Sequence, residues 1–521
     1  MERLFIDQTR LEISRIDYLY RECRPKLLVV TDGLDFSTAG FGLSQFVQTL
    51  RASTIHGMTP IVITAIHNPG AALSYDATTQ HISNFDFTHA THGLVKSRYD
   101  VVFLLGYNST GQIPTLPGEL NAIGKFMEAG GGVFATGDHE DLGMALCGEV
   151  PRVRAMRKWT RPETPSGGGT DRLSTNLSGD NGTEEFIDQS DVYPQRLYPN
   201  FRTDAGGIGR AHPLLQRPGS PVDGRTIEVF PDHPHEGECR IPTRLGTSFN
   251  VDGAAVAEWP GGLAPEMVAM SMSHGNGFPG KQALVPRSFI AMAAYDGQAV
   301  NKGRVATDAT WHHFININLD GAGSPHRGLR RPDGSDSPEL AKIRQHYRNL
   351  AAWLMPRSVR RCLMPYTVAT EVRRFPLFEE LKLASLAEAK LGDLAETGAL
   401  VREALSVRLP PFEVDALMND ALSIAVGDER AAKLFAVEKR ADRAIATDAA
   451  QVALGVLTTT FLTKLMTADA PEKLDPHAWL DRSVTETARG LVGEKLAEAR
   501  AELRKVDAML AEVAEKPSKA D

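Results

Sequence analysis

Acidic and imidazole side chains recur in this sequence directly after short apolar runs. The densest case is residues 130–143, GGGVFATGDHEDLG, where the run at 133–136 leads into Asp138, His139, Glu140 and Asp141. Asp32 and Asp35 follow LLVVT, His67 follows IVITAI, and Tyr107 and Asn108 follow YDVVFLL. Further on, His233, His235 and Glu236 lie in PDHPHEGE after TIEVF, and Asp308, His312 and His313 lie in ATDATWHHF. Imidazole serves as a general base near neutral pH, or as a neutral metal ligand whose second nitrogen a carboxylate orients. The expected catalytic set is therefore His139, Asp138, Glu140, His312, His313 and Asp32, with Tyr107, Asn108 and Asp35 contacting substrate. His139, His233, His235 and His312 are of the right type to hold a divalent transition metal such as Zn, without the H-E-x-x-H spacing of a helical zinc site.

These residues need a scaffold that brings strand ends together. Apolar runs at 27–31, 61–66, 99–105 and 133–136 suit strands covered on both faces, and helical patterns separate them. Strand, helix, strand, helix in this rhythm predicts an α/β fold with a doubly wound, mostly parallel sheet, whose carboxyl ends share one edge. A helix is expected in residues 1–25 and another over 117–129. The run Gly130, Gly131, Gly132 reads as a helix stop before a strand, and Gly40 and Gly42 as a loop able to cradle an anion at a helix N-terminus. Residues 151–223 dissolve into Gly, Pro, Ser, Thr and Asp, a loop-rich insert of the kind that forms lids. Strand character returns at 226–230, 267–272, 289–295 and 304–307, and a helix over 338–354 closes the domain at Pro356. From about 360 to 521 the chain reads as a separate all-helical region.

The order of these elements, with the Gly-rich strand, its sharp turn and the late Trp311-His312-His313 stretch, resembles the class I glutamine amidotransferase-like superfamily over residues 26–356. Within that superfamily the turn is most similar to the trehalose-utilisation (ThuA-like) branch. The resemblance implies a flavodoxin-like sheet with its site at the turn. It also carries a departure: the glutaminase turn G-x-C-x-G holds a cysteine nucleophile, whereas the matching position here is His139, and no Glu follows the late histidines at the H-x-E spacing. Thioester chemistry needs both a thiolate and a positioned base, so glutaminase activity is not expected. The resemblance points instead to a hydrolase or acid/base enzyme on a small polar, carbohydrate-like substrate. The competing expectation is a ligand-sensing scaffold that keeps the fold and binds a partner through its C-terminal helices.

Composition narrows the rest. A chain of 521 residues exceeds one typical core. A net charge of -8 disfavours bulk capture of nucleic acid. No apolar stretch suits a membrane span or a secretory signal, so a cytoplasmic location is expected. The four cysteines, Cys23, Cys147, Cys239 and Cys362, are widely spaced and are expected to be reduced thiols. The expected partners are a small-molecule ligand and a second copy or another protein on the C-terminal helices.

Overall fold

The computed structural model describes residues 20–67, 74–75, 80–109, 114–138, 141–159, 195–203, 209–219, 226–231, 237–273, 287–322, 328–374, 389–435, 440–467 and 485–495, with single positions at 501, 504 and 505. The chain divides into two compact units. One comprises Arg24–Asp204 and Ile208–Arg360; the other comprises Met1–Cys23, Ala205–Gly207 and Arg361–Asp521.

The first unit is α/β. Its strands are β1 (Lys26–Thr31), β2 (Ile61–Ile66), β3 (Gln80–Ile82), β4 (Val101–Leu105), β5 (Gly132–Thr136), β6 (Gln195–Pro199), β7 (Phe201–Thr203), β8 (Gly209–Ala211), β9 (Val229–Phe230), β10 (Ser248–Val251), β11 (Ala254–Ala257), β12 (Glu266–Ser273), β13 (Arg287–Tyr295) and β14 (Val305–Asp308). A ten-stranded sheet runs β3-β2-β1-β4-β5-β14-β13-β12-β6-β9, and β7–β8 and β10–β11 are separate two-stranded pairs. Pairing is parallel from β3 to β14 and antiparallel from β14 to β9. Without the three-residue edge strand β3, the parallel half has the doubly wound order 2-1-4-5-14, which reverses direction between β1 and β4.

Side-chain alternation builds two layers on this sheet. Phe103 of β4 and Phe134 of β5 are in register and meet Phe46 of the helix Ser44–Ala52, Phe314, and Tyr347 of the helix Pro338–Leu354, with ring centroids 5.0–5.8 Å apart. Val102, Leu104, Val133 and Ala135 share a core cluster with Ile123, Phe126 and Met127 of the helix Pro117–Glu128. That helix ends where the Gly run predicts. Gly130, at φ +89°, donates to Met127 O, and Gly131 donates to Phe126 O, the paired closure that a left-handed residue allows.

Two expectations need correction. The insert at 151–223 is not all loop: it supplies β6, an interior strand of the sheet, whose short alternating run QRLYP lay hidden among turn-forming residues. Its residues 160–194 lie outside the described residues, as do 1–19 of the expected N-terminal helix, while 21–23 form a single 3-10 turn. Finally, Cys23 and Cys362 are joined in a disulfide with Cα atoms 6.1 Å apart, leaving Cys147 and Cys239 as buried thiols.

The second unit is helical, with Leu391–Arg408, Pro411–Val426, Asp428–Phe435 and Arg440–Thr467 following the helix Arg357–Arg373. Leu391–Arg408 and Arg440–Thr467 cross at glycines: a Cβ on Gly398 would lie 1.9 Å from Gln451 O, and one on Gly455 1.9 Å from Leu394 O. Tyr20 packs here against Tyr366 and Phe461. Of the last amphipathic stretch, 506–521 lies outside the described residues. Among the described residues no helix is long and apolar enough to cross a membrane.

Candidate functional site

Thr31, Leu105 and Thr136 are in register across β1, β4 and β5, and Thr136 pairs with Asp308 of β14. The residues that follow each strand therefore emerge along one carboxyl edge, the place where open α/β sheets bind ligands. Asp32, Tyr107, Asn108, Asp138 and the 308–314 turn all lie there. His139 and Glu140, central to the sequence reading, lie outside the described residues, as do His233 and His235.

Asp138 is the focus of this edge. Its carboxylate is buried, 1% exposed, and accepts from Thr310 Oγ1 at 3.0 Å through Oδ1. Oδ2 faces His312 Nε2 at 3.4 Å, longer than the usual 2.7–3.2 Å of an N–H···O bond and so a charge contact more than a tight hydrogen bond. Thr310 Oγ1 also accepts from the His312 backbone N–H at 2.9 Å, and thus couples both residues. The His312 ring stacks on Trp311, with centroids 4.2 Å apart and an 18° interplanar angle. Phe41 and Tyr107 complete an aromatic rim around Trp311 at 5.9 and 5.4 Å. Both are exposed, at 52% and 36%.

Asp32 and Asn108 are engaged differently from what their types suggest. Asp32 Oδ1 accepts from the backbone N–H groups of Tyr107 at 2.6 Å and Asn108 at 3.2 Å, and Asn108 Nδ2 donates to Asp32 O at 2.5 Å. The Asn108 carbonyl accepts from Gly143 and Ala145. The pair braces the β1 and β4 ends at the topological switch and sets Tyr107 on the rim. Burial pushes the Asp32 carboxyl up to about 6, and the backbone donors from Tyr107 and Asn108 oppose that rise only in part.

Asp35 is also a brace. It accepts from Ser37 N at 2.8 Å and Ser37 Oγ at 2.7 Å, closing a side-chain turn. The loop it opens is pinned by Asn316, whose Nδ2 donates to Ser37 O and Ala39 O. Asn316 Oδ1 accepts from Gln45 N–H at 3.0 Å. A side-chain oxygen thus already occupies the first turn of the helix Ser44–Ala52, where the glycine loop suggested an anion. His67, which follows β2, is buried and bonded to Glu119 at 2.8 Å.

His312 and His313 are neighbours in sequence with opposite fates. His313 is buried, with Nδ1 2.7 Å from Asp308 Oδ1 and Nε2 3.0 Å from Gln195 Oε1. Both ring nitrogens are used internally, so His313 does not reach a substrate.

Sequence reasoning missed Arg157. It is fully buried, stacks over Trp159 at 4.4 Å, and donates from Nη2 to Asp138 O and Ala309 O. It thereby ties together the turns after β5 and β14. Only its place in an apolar run, AMRKW, hinted at burial. Cys147, in the short helix Met144–Cys147, is fully buried and its thiol is pushed up by burial, which disfavours a thiolate.

No family model, curated protein or solved structure matches this chain. Among the described residues no group of three or more His, Cys, Asp or Glu side chains gathers as a metal site would require. The geometry offers instead a carboxylate–imidazole pair beneath an aromatic rim. A buried carboxylate facing one ring nitrogen is the arrangement that orients an imidazole for proton transfer.

Proposed function

We propose that the α/β unit is an acid/base enzyme, a hydrolase in the simplest case, acting on a small polar substrate at the carboxyl edge of its sheet. The observation that carries this reading is the Asp138–Thr310–His312 arrangement. Asp138 holds the imidazole by charge, Thr310 sets its backbone, and His312 takes or gives the proton of a substrate hydroxyl or of an attacking water. General acid/base assistance of this kind contributes roughly 10²–10⁴-fold in rate. Phe41 and Tyr107, packed on the buried Trp311, supply an apolar surface against which a substrate ring can lie, a surface suited to the carbohydrate-like class that the amidotransferase-like resemblance implies. The buried thiol of Cys147 supports a reaction that does not pass through a thioester.

The test is turnover on a panel of esters, amides and glycosides by the wild type, His312→Ala and Asp138→Asn. Loss of activity in both variants at nearly unchanged melting temperature supports the proposal, and the double variant should lose no more than the worse single one. Binding of a panel compound without turnover would favour the ligand-sensing alternative. That alternative draws on the internal commitment of Asp32 and His313, which leaves His312 as the imidazole of the described edge nearest the rim.

A further inference from the structure

The partners around His313 fix the direction of its hydrogen bonds. Ser271 Oγ lies 2.7 Å from Arg196 O, an oxygen that only accepts, so the hydroxyl proton points there. Ser271 Oγ must then accept from its other neighbour, Gln195, at 2.7 Å, and the group facing it is the amide nitrogen. This orients Gln195 Oε1 toward His313 Nε2 at 3.0 Å. Because Oε1 only accepts, Nε2 carries a proton. The 2.7 Å contact between Nδ1 and Asp308 Oδ1 needs a second proton, on the ring or on the carboxyl. Asp308 Oδ1 also accepts from Thr310 N–H at 3.3 Å, and the His313 carbonyl accepts from Tyr347 Oη.

From this chain of bonds we infer that His313 is a positioning residue for the Asp138–His312 pair: anchored by Gln195 and sharing a proton with Asp308, it locks the 308–314 turn that presents Thr310 and His312 to Asp138. The inference rests on the acid/base reading of that pair. It also gives β6 and β12, in the antiparallel half of the sheet, a part in the site. Gln195 and Ser271 sit on those strands, and the relay Ser271–Gln195–His313–Asp308 connects them to the end of β14. The alternation of ring-nitrogen partners is the same device that orients metal-bound and catalytic imidazoles from behind, applied here to the neighbour of the reacting residue.

The experiment uses the full chain labelled with ¹⁵N-histidine and long-range proton–nitrogen correlation spectra of the wild type, Gln195→Glu and Gln195→Leu. Gln195→Glu keeps an acceptor at Nε2, and Gln195→Leu removes it at similar volume. The expected result is a protonated Nε2 on His313, whose signals are assigned by their loss in His313→Phe, in the wild type and in Gln195→Glu; buried His56, whose Nε2 faces the carbonyl of Ala352, gives a similar signal that stays unchanged. In Gln195→Leu the His313 signature is lost, the His312 ring signals shift, and kcat falls about tenfold at unchanged KM, because small misplacements of a reacting group are costly. An unprotonated Nε2 in the wild type overturns the inference. So does a Gln195→Leu protein that is folded and keeps the wild-type His312 signals. If no substrate is turned over, the acid/base reading fails by itself, while the nitrogen and His312 signals still decide the positioning role.

Discussion

Arg157 grips Asp138 by its main chain and not by its carboxylate: Nη2 donates to Asp138 O and to Ala309 O. The cation therefore fixes the position of the turn, while Thr310 and His312 engage the Asp138 side chain.

Gly237 should tolerate no side chain for that reason. A Cβ there would lie 2.0 Å from Arg157 Nη2 and 2.8 Å from both Asp138 O and Ala309 O. Gly237→Ala must displace either the guanidinium or two backbone carbonyls, and we expect it to cost about 1–3 kcal/mol, the usual range for overpacking. Urea unfolding of the two proteins checks this, and an unchanged midpoint would show that Arg157 has room to move.

Asp32 should leave a signature in the pH dependence of stability. Its carboxyl is raised from 3.8 to about 6 in the fold, so between these values the native state binds more protons than the unfolded chain and stability falls as pH rises. A rise of that size corresponds to roughly 3 kcal/mol. Asp32→Asn removes this titration while keeping an oxygen for the Tyr107 N–H. Buried His346, lowered to about 4 by burial, titrates with the opposite slope in the same window, so the informative quantity is wild-type stability minus variant stability. That difference should fall between about pH 4 and pH 6.5 and level off above. A flat difference would mean that Asp32 is better solvated than its burial implies.

In the helical unit, Gly398→Ala and Gly455→Ala set two effects against each other. Alanine improves helix propensity by about 1 kcal/mol, whereas each new Cβ would meet a backbone carbonyl at 1.9 Å. A carbonyl in a helix cannot rotate away, so the clash should win and each variant should unfold at lower temperature, by calorimetry or circular dichroism. Stabilisation by either substitution would show that these helices can separate without loss.

Thiol counting tests the Cys23–Cys362 bond. Alkylation of denatured, unreduced protein should modify Cys147 and Cys239 and spare the other two. Prior reduction should expose all four and lower stability by about 2–5 kcal/mol. Modification of Cys23 or Cys362 without reductant would show the pair to be open.

The parallel strands were legible because each is buried on both faces, and such a strand reads as an unbroken apolar run whatever lies around it: KLLVVT, VVFLL and GVFAT stand where their sequences predict. Once those strands are parallel, their carboxyl ends share an edge, so Asp32, Tyr107, Asn108, Asp138 and His312 converge as a matter of topology. The expected helix over 338–354 was equally local, with Ser337 capping Leu340 N–H and Pro338 in the first turn.

What each side chain does at that edge was decided only in three dimensions. Local pattern does not separate His312 from His313, yet one stacks under an aromatic rim and the other is buried between Asp308 and Gln195, 118 residues away in sequence. Asp32 reads as a catalytic acid in the sequence, but the two backbone amides that engage it come from the loop after another strand, β4. The β6 strand and the partnership of cysteines 339 positions apart depend in the same way on contacts distant in sequence. Periodicity reports how a segment meets an apolar layer. The partner of a polar group is fixed by which distant segment arrives beside it, because burial leaves that group no water to turn to.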